Sequence, residues 1–195
     1  MNAVKKLFVL TSTMAAILAS IPAAASASNP ATNHFYVTIR IKPVCEVETS
    51  TGGAPTQEAT TPSNGADIDF GEHFSNSKTE VSGSSKAGSG HGITVKCTKG
   101  TPYSIALKPE STSSEDGSGS MNILGNTSTD KVAYSLYQDS GYNKKWGSQD
   151  GITIKGQGTG IASPISHPVY GKVAGTELDK TAGRYFDRVA VEVSY

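Results

Sequence analysis

The amino-acid sequence predicts an all-β domain of the sandwich or barrel type. Apolar residues make up 36% of the 195 residues, whereas glycine alone occurs 21 times. The apolar residues fall in short runs that alternate with polar ones, and segments rich in Gly, Ser and Thr separate these runs. After the amino-terminal segment, no stretch keeps the apolar period of about 3.6 residues that a helix requires. One domain is expected at this length.

The first 27 residues have the features of a secretory signal peptide. Lys5 and Lys6 precede an apolar run over residues 7–21, and small residues follow at 25–27. The run is too short to favour a membrane span. Cleavage there removes two of the 17 basic residues and none of the 17 acidic ones, so the formal charge becomes −2. This balance argues against nucleic acid as a partner. We expect an exported protein.

The most regular strand pattern lies at residues 34–42, near the start of the exported chain. Apolar side chains occupy every second position and share one face of an extended strand: Phe35, Val37, Ile39 and Ile41. The other face carries Tyr36, Thr38, Arg40 and Lys42. Pro43 ends the strand. An arm with four large apolar side chains on one face is expected to lie in a groove of its own domain or of another molecule.

The same alternation predicts the remaining strands, at residues 44–47, 68–70, 93–97, 103–107, 132–136, 152–154, 169–173 and 189–195. Residues 93–97 are expected to place Cys97 in the core and to form a hairpin with 103–107. Exposed loops are predicted at 48–66, 75–92, 110–130 and 141–150. In the last strand, Val189, Val191 and Val193 share one face, and no further strand is expected to cover its outer edge.

The two cysteines, Cys45 and Cys97, are expected to form one disulfide in an oxidising compartment. Its long closed loop would stabilise the fold by roughly 4 kcal/mol. No Cys-x-x-Cys motif is present. Four scattered histidines share no metal-ligand spacing and are predicted at surface or loop positions: His34, His73, His91 and His167. Neither a metal nor a cofactor is expected.

No catalytic constellation is found in the sequence. Asp67 and Asp69 fit a solvated pair on a short strand, and Glu115 and Asp116 fit a solvated loop. No Gly-x-Ser-x-Gly elbow occurs near an expected strand–helix turn. The Gly-rich segment 156–160 lacks a P-loop lysine and a following helix. The protein is therefore not expected to be an enzyme.

The arm and the last strand leave two interpretations open. If both complete the same domain, the protein is a self-contained sandwich. If the arm instead pairs with the open edge of a neighbouring copy, each subunit completes the next, as in donor-strand complementation. Such a contact does not close on itself and produces a filament. Periodicity does not separate these two interpretations.

Short motifs occur in a specific order from the arm to the last residue. They are Cys45, Ile-Asp-Phe-Gly at 68–71, Ile-Thr-Val-Lys-Cys-Thr at 93–98, Gly-Thr-Pro-Tyr at 100–103, Val-Ala-Tyr-Ser-Leu-Tyr-Gln-Asp at 132–139, Trp-Gly at 146–147, Val-Tyr-Gly-Lys-Val at 169–173, Gly-Arg-Tyr-Phe-Asp at 183–187 and the closing Val-Ala-Val-Glu-Val-Ser-Tyr. The series resembles the spore coat protein U family, which includes subunits of archaic chaperone–usher pili. The loop after Cys45 is longer than the family pattern, and Ser148 stands where an acidic residue is common.

The resemblance implies an incomplete immunoglobulin-like sandwich with an N-terminal donor strand. Residues 1–27 would be the signal peptide, 28–43 the donor arm and 44–195 the pilin domain. The arm's apolar residues, Phe35, Val37, Ile39 and Ile41, would be donor side chains, and Val189, Val191 and Val193 would line the acceptor edge. Tyr185 would be a tyrosine-corner residue, and Trp146 a packed cap rather than an adhesive residue.

By the same resemblance, the protein would be a structural pilus subunit at the cell surface that supports adhesion and biofilm formation. Its partners would be identical or related pilin subunits, a periplasmic chaperone and an outer-membrane usher. The alternatives are a secreted surface- or carbohydrate-binding module that holds its own arm, a coat component, and a tip adhesin. A tip adhesin should have a second domain and no donor arm.

Overall fold

The computed structural model describes residues 30–49, 55–56, 65–85, 92–125 and 127–195. The predicted signal peptide, residues 1–27, lies outside these ranges. The chain divides into two units, Met1–Arg40 and Ile41–Tyr195. In the first unit, residues 30–40 form neither helix nor strand. Among the described residues, no helix has the length and apolar character needed to cross a membrane.

Strands dominate the described part of the second unit. They are β1 (Cys45–Glu48), β2 (Val81–Ser84), β3 (Ile93–Cys97), β4 (Pro102–Pro109), β5 (Ser118–Ile123), β6 (Lys131–Tyr137), β7 (Ile154–Gln157), β8 (Ile165–His167), β9 (Tyr170–Val173), β10 (Tyr185–Phe186) and β11 (Val189–Ser194). A short 3₁₀ helix, Gly175–Leu178, follows β9. The prediction of an all-β domain is confirmed.

The strands form three antiparallel sheets, in the orders β1-β3-β8, β10-β5-β6-β9-β2 and β11-β4-β7. A backbone hydrogen bond joins the two smaller sheets, because Gly160, which follows β7, donates its N–H to the Cys97 carbonyl of β3. Buried side chains from all three sheets form one core. The smaller sheets and the five-stranded sheet thus build the two layers of the predicted immunoglobulin-like sandwich.

The core comes mainly from the alternating residues of three strands. The fully or nearly fully buried side chains are Ile93, Val95 and Cys97 of β3, Tyr103, Ile105 and Leu107 of β4, and Val132, Tyr134 and Leu136 of β6. Burying each large apolar side chain contributes roughly 1.5–3 kcal/mol before ordering costs. The sequence pattern correctly identified these faces, and Cys97 points into the core as predicted.

The predicted hairpin between residues 93–97 and 103–107 is wrong. β3 pairs with β1 and β8, whereas β4 pairs with β11 and β7. The chain passes from one sheet to the next at residues 98–101, where Gly100 has a φ of 80°. Each of the two strands finds its hydrogen-bond partners far along the chain, which local sequence patterns do not encode.

Four strands lie where no strand was predicted. β2 falls inside the predicted loop 75–92, β5 inside the predicted loop 110–130, and β8 and β10 are short strands near the end. β5 has the sequence Ser-Gly-Ser-Met-Asn-Ile, which shows no apolar alternation. It is a strand because it pairs with β6 and β10. Conversely, Ile68 makes only an isolated bridge to Ser85.

Ile68 and Phe70 cover glycines rather than extending a sheet. A Cβ atom on Gly83 of β2 would lie 2.9 Å from Ile68 Cγ2, and one on Gly171 of β9 would lie 2.8 Å from Phe70 Cζ. The two side chains therefore pack directly on the backbone of β2 and β9. The predicted strand at 68–70 is instead a covering segment.

Candidate functional site

The last strand presents an open edge. β11 pairs with β4 and with no other described strand. In the register, Val191 lies opposite Leu107 and Val193 lies opposite Ile105. Leu107 is 1% exposed and Ile105 is fully buried, whereas the valines of β11 are only half-buried. The apolar face of this sheet is thus covered at β4 and partly uncovered at β11.

A second open edge lies on β1, which pairs only with β3 among the described strands. Val47 of β1 and the preceding Val44 are 40% and 42% exposed. Glu46 and Glu48 are also exposed. As on β11, the apolar side chains at this edge are incompletely covered.

The arm residues form no strand in the structure. The four side chains proposed as donors, Phe35, Val37, Ile39 and Ile41, are 76–88% exposed. Extended backbone becomes a strand only when a neighbouring strand supplies hydrogen-bond partners. The alternation at 34–42 therefore describes a segment that can add to a sheet, and its donor role stays a prediction.

The disulfide between Cys45 and Cys97 is present, as predicted. The two residues are direct partners in the antiparallel pairing of β1 with β3. Cys97 is 2% exposed and belongs to the core. The disulfide therefore fixes the beginning of β1, directly after the arm, to the centre of the sandwich.

A part-buried hydrogen-bond network holds the segment that leads into β11. The Tyr134 hydroxyl donates to Asp187 Oδ2 over 2.8 Å, and the Ser111 hydroxyl donates to the same oxygen. Ser111 Oγ accepts a 2.8 Å hydrogen bond from the Ser120 amide. The network thus connects β5 and β6 of the five-stranded sheet to the residues just before β11. Burial, reinforced by the Asp187 carboxylate, raises the pKa of Tyr134 far above its usual range.

Sequence reasoning missed this network. In the sequence, Asp187 stands out only as the last residue of the Gly-Arg-Tyr-Phe-Asp motif, and Tyr134 only as the middle residue of the predicted strand at 132–136. The signal available was a tyrosine at a core position, because a buried phenol requires a hydrogen-bond partner. The partner itself lies 53 residues away along the chain.

Two aromatic residues have structural roles. Tyr185 donates its hydroxyl to the Thr181 carbonyl over 2.8 Å, which is the geometry of a tyrosine corner. Trp146 is fully buried, and its Nε1–H donates to the Ile105 carbonyl over 3.0 Å. The prediction that Trp146 is packed rather than adhesive is confirmed.

The titratable residues considered for catalysis or metal binding are dispersed. His34 and His73 are exposed as predicted, while His91 lies outside the described residues. The surface or loop position predicted for His167 is wrong. The residue lies in β8, is half-buried and has a ring nitrogen 3.0 Å from the Tyr103 hydroxyl. Burial lowers the pKa of His167. Within the described ranges, no three His, Cys, Asp or Glu residues form a group that could hold a metal ion.

Asp116 lies in a more structured environment than the predicted solvated loop. Lys145 Nζ lies 2.6 Å from its Oδ2, and the Ser118 amide donates to Oδ1 over 3.0 Å. The Lys145 interaction and the hydrogen bonds from Ser114 and Ser118 hold the pKa of Asp116 well below its usual range. This carboxylate therefore closes the turn that leads into β5.

A shallow cavity of about 390 Å³ lies beside the five-stranded sheet. Small polar residues of β5 and β6, including Ser118, Ser120 and Ser135, form part of its lining. Its lysine, Lys172, is ion-paired with Glu80 over 2.6 Å, and Ser118 is hydrogen-bonded to Asp116 and Ser135. These polar groups are therefore engaged with one another.

Comparison with known proteins identifies a family. The family model of the Spore Coat Protein U domain matches residues 31–192. No curated protein matches the chain.

The chain is also similar to solved structures. One is the CsuC–CsuE chaperone–tip adhesion subunit pre-assembly complex from archaic chaperone–usher Csu pili of Acinetobacter baumannii. The identity is 19% over 80% of this chain and 40% of that chain, and the TM-score is 0.45. Another is a chaperone–tip adhesin complex of CFA/I fimbriae, with 12% identity over 66% of this chain and 38% of that chain, and a TM-score of 0.37. This chain therefore spans about two fifths of each of these two chains.

Proposed function

Because the chain belongs to the Spore Coat Protein U domain family, we propose that it is a structural subunit of a cell-surface pilus, assembled by donor-strand exchange. One observation carries the proposal: an arm with four exposed apolar side chains on one face occurs together with a half-buried valine edge on β11. Each feature supplies what the other lacks. The arm needs a sheet edge, and the edge needs a strand with an apolar face.

In this mechanism the arm of one copy adds to β11 of the next. The arm's backbone amides and carbonyls would pair with the open edge, while Phe35, Val37, Ile39 and Ile41 would turn toward Val189, Val191 and Val193. Burying four such side chains contributes roughly 6–12 kcal/mol before ordering costs. Because donor and acceptor surfaces differ, the contact repeats head to tail and builds an open filament.

The route to the surface follows from the same requirement. An unoccupied β11 edge in the periplasm would invite unwanted pairing. A periplasmic chaperone would occupy the edge until an outer-membrane usher exchanges it for the arm of the next subunit. Residues 1–27 would direct export, 28–43 would form the arm and 44–195 the pilin domain. The product would be a pilus that supports adhesion and biofilm formation, and the subunit itself would be non-catalytic.

Deletion of residues 28–42 tests the proposal. The shortened subunit should fold, bind its chaperone and accept a donor, but it should fail to serve as a donor, so surface polymers should be absent when it is the only subunit. A self-contained binding module should instead lose stability, because it would have lost a strand of its own sandwich. Polymers that persist after the deletion would refute the donor role of the arm.

A further inference from the structure

Charge is distributed unevenly between the arm and the sheet edges. The arm, residues 28–43, contains Arg40 and Lys42 and no acidic residue. The edge strands β1 and β11 show the opposite pattern, with three carboxylates and no lysine or arginine: Glu46, Glu48 and Glu192. Arg40, Lys42 and all three glutamates are exposed. A basic segment and two acidic edges thus occur in the same molecule.

The other described edge strands lack this acidic character. The edges of the three sheets also include β2, β7, β8 and β10. None of these four strands contains an aspartate or glutamate, and β7 carries Lys155. Lys155 is ion-paired with Asp150, and Glu48 is ion-paired with Lys96, so β1 and β11 differ from the other edges in carrying carboxylates rather than in a large net charge.

The alternation of a strand decides which side chains meet. When the arm pairs with β11 and its apolar residues face the core, Arg40 and Lys42 lie on the outer face. On β11, that face carries Ala190, Glu192 and Ser194, because the valines occupy the inner one. Glu192 is the only charged side chain of β11.

Glu192 is available for such a contact. Its carboxylate pairs with Lys108 Nζ of β4, on the side of β11 away from the open edge. Both side chains are about half exposed, at 55% for Glu192 and 52% for Lys108. An exposed ion pair of this kind is weak and rearranges readily, so the carboxylate can also interact with a cation on the opposite side.

We propose that Arg40 and Lys42 of one copy are specificity determinants that interact with Glu192 of the next copy. The inference rests on the proposed donor-strand function and adds a selection rule to it. Burial of the apolar face supplies the affinity, and the outer-face charges direct the arm to β11 rather than to the edge strands that carry no carboxylate. The acidic residues of β1 extend the attraction over a longer range, so the association rate depends on ionic strength.

Charge reversal in the full exported chain, residues 28–195, tests the proposal. Glu192→Lys places a cation opposite the basic arm, and the double change Arg40→Glu, Lys42→Glu places anions opposite Glu192. At low ionic strength, each variant alone should polymerise about three- to tenfold more slowly than the unmodified chain, as followed by light scattering. The difference should largely disappear at about 0.5 M NaCl, where exposed charges are screened.

Mixing the two variants provides the decisive measurement. The basic arm of Glu192→Lys fits the acidic edge of the double variant, and the acidic arm of the double variant fits the basic edge of Glu192→Lys. The mixture should therefore polymerise at close to the unmodified rate and incorporate the two variants in equal amounts. Glu72→Lys is the matched control, since Glu72 is an exposed acidic residue in the segment between residues 68–70 and β2, so this change should leave the rate unaffected.

Three results would overturn these conclusions, and they are distinguishable. Unchanged low-salt rates for the single variants, or no recovery on mixing, would overturn the charge rule while leaving donor-strand exchange intact. An unmodified chain that forms no polymers, either in solution or at the surface of cells that supply the chaperone and the usher, would overturn the proposed function and the charge rule together. Circular dichroism of each variant establishes that these surface changes leave the fold intact.

Discussion

The hydroxyl of Tyr134 donates a 2.8 Å hydrogen bond to Asp187 Oδ2, and this contact connects β6 in one layer of the sandwich to the segment that enters β11 in the other. Tyr134 is only 6% exposed. Its ring packs on Gly119, where a Cβ atom would lie 2.5 Å from the phenol carbon Cζ. The position of the open edge strand thus depends on a part-buried polar contact as well as on apolar packing.

This contact predicts a loss of stability at alkaline pH. Burial, and secondarily the Asp187 carboxylate, raise the pKa of Tyr134 in the folded state above the value of about 10 expected in the unfolded chain. The resulting stabilisation is therefore complete below about pH 10 and is lost as the pH rises above it, because the unfolded chain ionises first. Denaturant unfolding between pH 7 and 11 measures the effect.

Tyr134→Phe is the control for this prediction. At neutral pH it should lower the free energy of unfolding by about 1 kcal/mol through the lost hydrogen bond. Above pH 10 its stability should fall less steeply than that of the unmodified protein. An equal slope for both proteins would contradict the assignment to Tyr134.

Replacing either of two glycines with the same backbone conformation by alanine should lower the free energy of unfolding by different amounts. Gly117 and Gly100 have φ values of 82° and 80°. A Cβ atom at Gly117 would lie 2.2 Å from the Trp146 carbonyl oxygen, whereas at Gly100 it would meet no atom within 4 Å. Gly100→Ala should cost about 1–2 kcal/mol from the left-handed conformation alone. Gly117→Ala should cost at least about 2 kcal/mol more, because the Trp146 backbone must move.

The fluorescence of Trp146, the single tryptophan, provides a second measurement for this pair. Gly117→Ala should shift its emission, since it displaces the backbone that holds the indole in the core. Gly100→Ala should leave the emission unchanged. Similar stability losses for the two variants would indicate that the close approach at Gly117 is unimportant.

Reduction of the disulfide should weaken the domain substantially. Cys45 and Cys97 are 52 residues apart, and closing a loop of that length restricts the unfolded chain by about 4 kcal/mol in the chain-entropy treatment. Replacing both cysteines with serine should lower the free energy of unfolding by a similar amount. Adding a reducing agent should destabilise the unmodified protein and leave the double variant unaffected. Two free thiols in the oxidised, exported protein would contradict the disulfide.

Adjacent residues of the arm offer a matched pair for the donor role. Ile39→Asp places a charge on the face that we propose to be buried in the next copy, and Thr38→Asp places the same charge on the opposite face. Burying an unpaired carboxylate costs several kcal/mol, so Ile39→Asp should abolish surface polymers, measured by electron microscopy and by sedimentation of sheared filaments. Thr38→Asp should reduce polymer yield only modestly. Equal yields from the two variants would contradict a one-sided donor strand.

The success of the sequence prediction depended on how each strand is buried. In β3, β4, β6 and β11 one face is more buried than the other, so their apolar residues alternate and the sequence pattern predicts these strands. β5 was not predicted, because its six residues include two serines, a glycine and an asparagine. It is a strand because it pairs with β6 and β10. Residues 68–70 show the reverse case, in which an alternating pattern predicted a strand that the structure lacks. Ile68 and Phe70 instead pack on the backbone of Gly83 and Gly171.

The sequence by itself determined the all-β class, the inward faces of the main strands, the cysteine pair and the two-faced arm. Each of these depends on residue type and on the period-two geometry of extended backbone, which are local properties. Only the tertiary structure decided that β3 and β4 lie in different sheets, that Tyr134 meets Asp187, and that the valines of β11 are half-buried. These facts depend on which distant segments meet, and that choice is made by the packing of the whole core, because many pairings satisfy the same local pattern.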